Sequence, residues 1–238
     1  MLDRRYRERG LSLIELMVSL TIGMFLLVGL LAYLSRSLAM TSSTYQNSRI
    51  SQELNAVMEL MTRDIRRAGF SSTAQDATTA ALAAANAFTQ SAVAGANDGG
   101  INIATAGCIL YSYDMPGTAN GVRDSSELLG FKVASGVLYT ASGGSGSGCS
   151  ASGWQPITDP NVTEITALTF QYLDASDNVS TTQKPFAGAS GSGWSLCTRN
   201  IRITLSGRLV SNPTIAIRSY SQDVRVRNDW YNAAGSSC

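Results

Sequence analysis

The chain has 238 residues, with 18 Lys and Arg against 17 Asp and Glu and a formal net charge of +1. This length can bury the core of one sizeable domain, and the near-neutral charge argues against a protein that binds nucleic acid through bulk positive charge. The sequence contains no histidine, which excludes catalytic sites of the Ser-His-Asp, Cys-His and HExxH classes.

A membrane-length apolar segment follows a basic N-terminus. Residues 1–10 contain four arginines, one Asp and one Glu, and Glu15 is the one group in residues 11–34 that is ionised at neutral pH. A helix of that length rises about 36 Å, enough to cross the roughly 30 Å hydrocarbon core of a bilayer. The preceding positive charge predicts a cytoplasmic N-terminus and a chain that continues outside the membrane.

Hydropathy alone is compatible with two kinds of segment, a cleaved signal peptide and a plain signal anchor. A cleaved signal peptide usually has an apolar run of about 7 to 15 residues that ends in small residues, whereas this run is longer and no A-x-A follows it. A plain anchor fits the length but does not explain Glu15, because a carboxylate costs up to about 2.5 to 3.5 kcal/mol at a bilayer centre. Glu15 is therefore a candidate functional residue.

The residues around Gly10 resemble the N-terminal signal of type IV prepilins and type II secretion pseudopilins. That signal joins a short basic leader, a Gly, an apolar residue and a Glu five positions after the Gly, here Gly10, Leu11 and Glu15. The resemblance implies that a prepilin peptidase cuts after Gly10 and that Leu11 is then N-methylated. It also implies that the new α-ammonium of Leu11 pairs with Glu15 of a neighbouring subunit, which would offset two costly charges and set the subunit register.

The helix is expected to continue past the membrane, from Leu13 to Ala68, over roughly 84 Å. Apolar residues recur with the spacing of an amphipathic helix that lies on a core: Ile50, Leu54, Val57, Met58, Met61 and Ile65. Gly69 is a suitable C-terminal stop. The stretch Thr62 to Phe70 resembles the end of the long helix in W-type minor pilins (PilW) and J-type minor pseudopilins, although favourable contact with the helix dipole also explains its arginines.

The remainder of the chain is predicted to be mostly β-structure. Residues 71–100 are compatible with a short surface helix or a variable loop. Strands are predicted at 101–103, 108–113, 128–134, 137–140, 165–173, 199–205, 214–217 and 222–227. The Gly/Ser-rich segments 142–153 and 187–193 are predicted to be flexible connections, and neither contains a phosphate-loop or nucleophile-elbow motif.

These elements predict a pilin-like α+β fold, with a long N-terminal α-helix packed on antiparallel β-sheet. The expected organisation has a leader peptide at 1–10 and a transmembrane or filament-core helix at 11–35. An amphipathic helix at 36–70 continues into a periplasmic or extracellular β-rich domain at 71–238.

Four cysteines follow the apolar segment: Cys108, Cys149, Cys197 and Cys238. An even number of cysteines in a chain expected in the periplasm indicates disulfides, and three pairings are possible. We favour Cys108 with Cys149 and Cys197 with Cys238, because each closes a loop of about forty residues and the second ties down the C-terminus. The second also resembles the C-terminal disulfide loop of major pilins. Zinc is disfavoured because the spacing contains no CxxC and the chain has no His.

Three other groups of residues are candidates for binding sites. Asp174, Asp177 and Asn178 carry oxygen ligands suited to Ca²⁺ but have the pattern of a solvated turn. The aromatic residues Trp154, Trp194, Tyr220, Trp230 and Tyr231 are expected to anchor core or loops rather than to form a contact surface. A DNA-binding patch at Arg218, Arg225 and Arg227 is disfavoured because Asp223 and Asp229 offset the charge.

The resemblance implies a minor pilin, a non-enzymatic structural subunit that helps initiate type IV pilus assembly at or near the tip. A J-type minor pseudopilin of a type II secretion system and a tip adhesin or DNA-uptake module are the alternatives. The expected partners are a prepilin peptidase, the other minor pilins, the major pilin, the inner membrane and the pilus assembly platform. No catalytic residue, metal or cofactor is expected, and nucleic acid is not an expected partner. The expected location is the inner membrane, in a single pass, and then the extracellular pilus.

Overall fold

The structure is a computed structural model that describes residues 10, 12–73, 86–90, 100–105, 107–117, 119–141, 148–180, 185–191, 193–211, 217–232 and 238. The chain divides into two compact units, Met1–Ser48 and Arg49–Cys238. The first unit contains the beginning of the long helix, and the second contains its end together with all the β-structure described.

Helix α1 spans Leu13–Arg67, one residue shorter than predicted. It ends just before Gly69, whose φ of 78° is a left-handed conformation that glycine adopts without steric cost. In the second unit the predicted apolar stripe of α1, from Ile50 to Ile65, is buried, which confirms that this part of the helix is amphipathic and lies on a core.

The strands form antiparallel sheets, as predicted for an α+β chain. The described strands are β1 Ile101–Thr105, β2 Cys108–Ser112, β3 Leu128–Ala134, β4 Val137–Ala141, β5 Gln155–Pro156, β6 Thr163–Leu173, β7 Phe186–Gly191, β8 Trp194–Thr198, β9 Asn200–Leu209, β10 Arg218–Arg225 and β11 Trp230–Asn232. The sheet orders are β1-β2-β3-β4-β5, β10-β9-β6 and β11-β8-β7. A short helix α2, Ala87–Gln90, and a 3₁₀ turn, Ser125–Glu127, complete the described elements.

The core lies between the end of α1 and the sheets. Along β9 the apolar residues Ile201, Ile203 and Leu205 alternate with polar ones and are fully buried. Their partners across the ladder are Tyr172, Phe170 and Leu168 of β6, and all six belong to one apolar cluster with the buried stripe of α1. Since burying a large apolar side chain contributes about 1.5 to 3 kcal/mol, this cluster determines where the helix lies on the sheet.

One predicted connection is wrong: most of 187–193 lies in strand β7, which pairs with β8. We interpreted its Gly and Ser content as flexibility, but the small residues make room for neighbours. A Cβ at Gly188 would collide with the Thr198 hydroxyl, and one at Gly191 would collide with the Trp194 indole. β7 is mostly exposed. It is held as a strand by its hydrogen bonds to β8, and its sequence therefore lacks the alternation of apolar and polar residues that predicts a half-buried strand.

The predicted strands near the C-terminus are shifted. β10 begins at Arg218, four residues before the predicted start at Gln222, and ends at Arg225 rather than Arg227. The predicted strand 214–217 falls largely outside the described residues, and Ile217 precedes β10. β5 and β11 were missed because two or three residues are too few to carry a periodic signal. In 71–100 the structure describes a short helix at Ala87–Gln90.

Both disulfides of the favoured pairing are present. Cys108 is bonded to Cys149 and Cys197 to Cys238, each across 41 residues of sequence, so no cysteine is left unpaired. The first joins β2 to the loop before β5, and the second joins β8 to residue 238. In the loop-entropy description, each closed loop of this length stabilises the fold by about 2 to 4 kcal/mol.

A buried carboxylate organises the chain just after α1. Asp114 accepts hydrogen bonds from the Ser72 amide at 2.9 Å and hydroxyl at 2.6 Å, and from the amides of Asn120 and Gly121 at 3.2 and 3.0 Å. Its own amide donates to the Phe70 carbonyl at 2.9 Å. Burial alone would raise the pKa of Asp114, but these hydrogen bonds lower it below its ordinary value.

We expect Asp114→Asn to lower the free energy of unfolding at pH 7 by roughly 2 to 3 kcal/mol, because an amide replaces a charged acceptor. The folded-state pKa of Asp114 is depressed, so its stabilisation is complete above the unfolded-state pKa and is lost as the pH falls through the folded-state pKa. The difference between parent and variant should therefore narrow below about pH 4. Urea denaturation of the full chain in detergent measures this, and a constant difference from pH 7 to pH 3 would contradict it.

Candidate functional site

Gly10, the predicted cleavage position, is exposed. Beyond its chain neighbours, no described residue has an atom within 4 Å of a Cβ placed at Gly10. Leu11, the predicted site of N-methylation, lies outside the described residues. The helix begins two residues later, and the peptide bond after Gly10 therefore precedes the helical hydrogen-bond ladder.

Glu15 lies in the first turn of α1. Its amide and that of Leu16 donate to the Ser12 carbonyl at 3.0 and 3.1 Å, so Ser12 closes the first helical turn. A carboxylate at this end interacts favourably with the positive end of the helix dipole. The Glu15 side chain is exposed, and no basic group of the described residues lies within ion-pair distance of it.

The helix surface around Glu15 is apolar and exposed. Glu15 shares a groove along one face of α1 with small and apolar side chains: Ser12, Ile14, Val18, Ser19, Ile22, Gly23 and Leu26. The large apolar residues from Leu13 to Leu34 are exposed, with Phe25 at 82%. Among the described residues, α1 is the helix long and apolar enough to span a membrane. An exposed apolar surface of this size indicates a membrane or another apolar helix as its environment. An ionised carboxylate is unfavourable in such surroundings unless it is paired with a cation.

Several donors from outside the helix satisfy the carbonyls at the end of α1. The Arg227 amide donates to the Arg66 carbonyl at 3.0 Å. The Asn228 side-chain amide donates to the carbonyls of Arg67 and Ala68 at 3.3 and 3.2 Å. Because the last four carbonyls of a helix lack partners within it, the segment after β10 acts as the cap of α1.

A buried arginine holds this cap in place. The Arg199 side chain is fully buried, and its guanidinium donates to the Asn228 carbonyl. Burial lowers the pKa of Arg199 to about 10, although Tyr172 and Asp229 act to raise it, so the group remains a cation at neutral pH. Both Arg199 and Asn228 were missed in the sequence. Arg199 precedes β9 and Asn228 follows β10, and nothing in the residues around them indicates that they act at the end of a distant helix.

The structure separates the arginines considered as a DNA-binding patch. Arg225 forms an ion pair with Asp229 at 3.6 Å, whereas Arg218 begins β10 and Arg227 lies at the end of α1. On the same sheet Arg202 forms an ion pair with Asp223 at 2.7 Å. The hydrogen bond from Arg202 lowers the pKa of Asp223 despite partial burial.

The possible calcium ligands are engaged in a turn. Asp174 accepts hydrogen bonds from the amides of Ser176 and Asn178 at 2.8 and 2.9 Å, and Asp177 adopts a positive φ of 59°. The backbone hydrogen bonds from Asn178 and Ser176 lower the pKa of Asp174. This geometry is that of a turn stabilised by an aspartate side chain.

The aromatic residues contact the sheets. The rings of Trp194 in β8 and Tyr231 in β11 are stacked with centroids 5.9 Å apart. The Lys132 ammonium lies 4.5 Å from the centre of the Trp154 ring. These contacts agree with the expected role of these residues as anchors of loops and strands.

Two family models match the chain. One, described as the prokaryotic N-terminal methylation motif, matches residues 5–31 and so covers Gly10, Leu11 and Glu15. The other, described as prepilin peptidase-dependent protein B, matches residues 43–226, which is more than half of the chain and includes the end of α1 and strands β1 to β10. No curated protein and no solved structure matches the chain.

We expect Asn228→Ala to lower the free energy of unfolding by about 1 to 2 kcal/mol, because the Ala68 carbonyl loses its side-chain donor and the Arg67 carbonyl keeps only the bond from the Phe70 amide. Asn161→Ala is the matched control, since the Asn161 side chain is exposed and bonds to Asp159 of its own turn; its effect should stay within about 0.5 kcal/mol. Urea denaturation of the full chain in detergent compares the two. Equal effects would mean that Asn228 does not act as a cap.

Proposed function

The chain belongs to the prepilin peptidase-dependent protein B family, and from this premise we propose that it is a minor pilin that helps initiate type IV pilus assembly. Membership makes it a pilin-type subunit, and the methylation motif makes it a substrate of prepilin peptidase. We propose further that it is of the W type and that it is incorporated at or near the pilus tip after processing.

The division of α1 between two surroundings is the observation that carries this proposal. Up to Leu34 its large apolar side chains are exposed, and from Ile50 to Ile65 its apolar stripe is buried in the domain core. The first part suits storage in the inner membrane and then packing among other apolar helices, whereas the second part holds the domain. A subunit built in this way can leave the bilayer for a filament without changing its fold, because each environment buries the same apolar surface.

Glu15 supplies the specificity of docking in this proposal. After cleavage, each subunit has an α-ammonium on Leu11. The Leu11 ammonium of one subunit is the cation that pairs with Glu15 in the apolar groove of its neighbour. The pair forms in a low-dielectric helix bundle, where each charge alone would be strongly unfavourable. Only a processed subunit in the correct axial position satisfies both charges.

The disulfides support a location outside the cytoplasm. Two cystines in the domain require an oxidising compartment such as the periplasm, and the arginines of residues 1–10 favour a cytoplasmic N-terminus. We propose a single pass through the inner membrane with the domain in the periplasm, followed by transfer to the extracellular pilus. Other minor pilins, the major pilin and the assembly platform are the proposed partners.

We expect the chain isolated from cells to begin at Leu11 and to carry one methyl group on its α-nitrogen. Gly10→Val should keep the leader, because a branched side chain would occupy the open space at the cleavage position. Gly29→Val is the matched control within α1, and its Cβ also meets no other atom within 4 Å, so it should be processed normally. Mass spectrometry of the intact protein reads out both variants. A parent chain that still begins at Met1 would refute the processing.

We expect Glu15→Ala to be cleaved normally but to fall more than tenfold in sheared filaments, because loss of one partner of a buried ion pair costs about 3 to 5 kcal/mol. The number of pili should fall with it. Ser19→Ala, in the same groove, is the control, since its hydroxyl bonds to the backbone carbonyl of Glu15. Immunoblots of sheared fractions and electron microscopy measure the effect. Normal incorporation of the variant would contradict docking through Glu15, and normal pili without the chain would contradict a role in initiation.

A further inference from the structure

A basic groove lies at the end of α1 within the Arg49–Cys238 unit. Arg63, Arg66 and Arg67 occupy positions i, i+3 and i+4 of the helix and so share one face. Gln222 of β10 and Arg227 form the other side of the groove. Because the Arg227 amide donates to the Arg66 carbonyl, the cap of α1 brings the fourth guanidinium to the other three.

The positive charge of this groove is only partly offset within the described part of the chain, since Asp64 on the same helix interacts electrostatically with Arg63 and Arg67. Arg202 and Arg208 form ion pairs at 2.7 Å on the same domain, whereas none of the four groove arginines has a carboxylate within ion-pair distance among the described residues. Glu59 is the acidic residue that lines the groove. The helix dipole favours cations in the last turn, which accounts for Arg66 and Arg67 but not for Arg63 or Arg227.

An apolar cavity adjoins the basic groove and shares Arg67 and Arg227 with it. Phe70 and Pro116 line this second cavity, and Phe70 is 44% exposed. Asp114 lies there too, but its oxygens are already occupied by four donors. The two cavities therefore offer cations and an apolar surface side by side.

From this arrangement we propose that the groove binds an acidic segment of a partner protein, with carboxylates on the arginines and a neighbouring apolar side chain against Phe70 and Pro116. Guanidinium groups bind carboxylates through paired hydrogen bonds. The hydrogen bond from the Arg227 amide to the Arg66 carbonyl fixes the two backbones that carry these arginines relative to each other, so the two sides of the groove are in place before binding. The proposal concerns the domain alone and does not require that the chain reach a filament.

The charge of the chain favours a protein partner over a nucleic acid. Without residues 1–10 the chain has 14 basic and 15 acidic residues, so it lacks the excess of positive charge that favours binding along a phosphate backbone. A short segment with two or three carboxylates matches the size of the cluster.

Site-specific photo-cross-linking in cells that make the full chain and its natural partners tests this inference. The photoreactive amino acid p-benzoylphenylalanine replaces Gln222 on the groove side of β10, or Ser219, which points to the other face of the strand. Each version is combined with Arg66→Gln or with the control Arg218→Gln, which removes the same charge at the opposite end of β10. Non-reducing gels and protein levels verify that each variant is folded with both disulfides.

We expect the adduct from position 222 to map to a protein segment with at least two Asp or Glu residues beside an apolar residue. Arg66→Gln should reduce the yield of this adduct about tenfold, since a hydrogen bond between two charged groups is lost. Arg218→Gln should leave the yield at the parent level. The cross-linker at position 219 should give no such adduct. Any of four results would overturn the inference: equal yields in the two arginine variants, a cross-linked segment without acidic residues, no adduct at position 222, or an adduct to nucleic acid or lipid. Failure of processing at Gly10 would refute the proposed pilin role but would leave this result unaffected.

Discussion

Burial of one stripe of α1 against β6 and β9 is the constraint on which the rest of this protein depends. The stripe and the alternating residues of the two strands form a single apolar cluster, and the cap of the helix is built around their position. The Arg199 guanidinium and the Asn228 side chain reach the end of the helix only because β9 and β10 lie beneath it. The geometry of the cap and of the basic groove at the end of α1 therefore depends on that packing.

The charged groups of the chain divide into those that the domain satisfies and those that it leaves for others. Asp114, Arg202 and Arg208 have partners within the domain, and their contribution is local stability. Among the described residues no cation lies within ion-pair distance of Glu15, and the four groove arginines outnumber the two acidic residues beside them, Glu59 and Asp64. Desolvating a charge without a partner is unfavourable, so these are two places where a second molecule is expected.

The sequence predicted the parts of this fold that repeat a pattern. The stripe from Ile50 to Ile65 and the alternation in β9 follow directly from the helix and strand periods, and the two cystines follow the loop lengths that were favoured. Gly10 and Glu15 could be singled out as candidates because their spacing is fixed along the chain, and their roles in cleavage and docking stay predictions. β7 was misread because its glycines make room for Thr198 and Trp194, which a one-dimensional pattern does not express. Asn228 was missed for a related reason, since the two carbonyls to which it donates lie 161 and 160 residues earlier in sequence. Arg199 was missed because its partner is the backbone of Asn228.

The disulfide between Cys197 and Cys238 also changes how the domain carries mechanical load. The chain between these two residues contains β9, β10 and β11, but the sulfur bridge is a covalent shortcut past all three. A pull on residue 238 therefore passes directly into β8, and the chain segments of β9, β10 and β11 are kept out of the line of tension. The strands that form the core and cap α1 are in this way shielded from being peeled away from the C-terminal end.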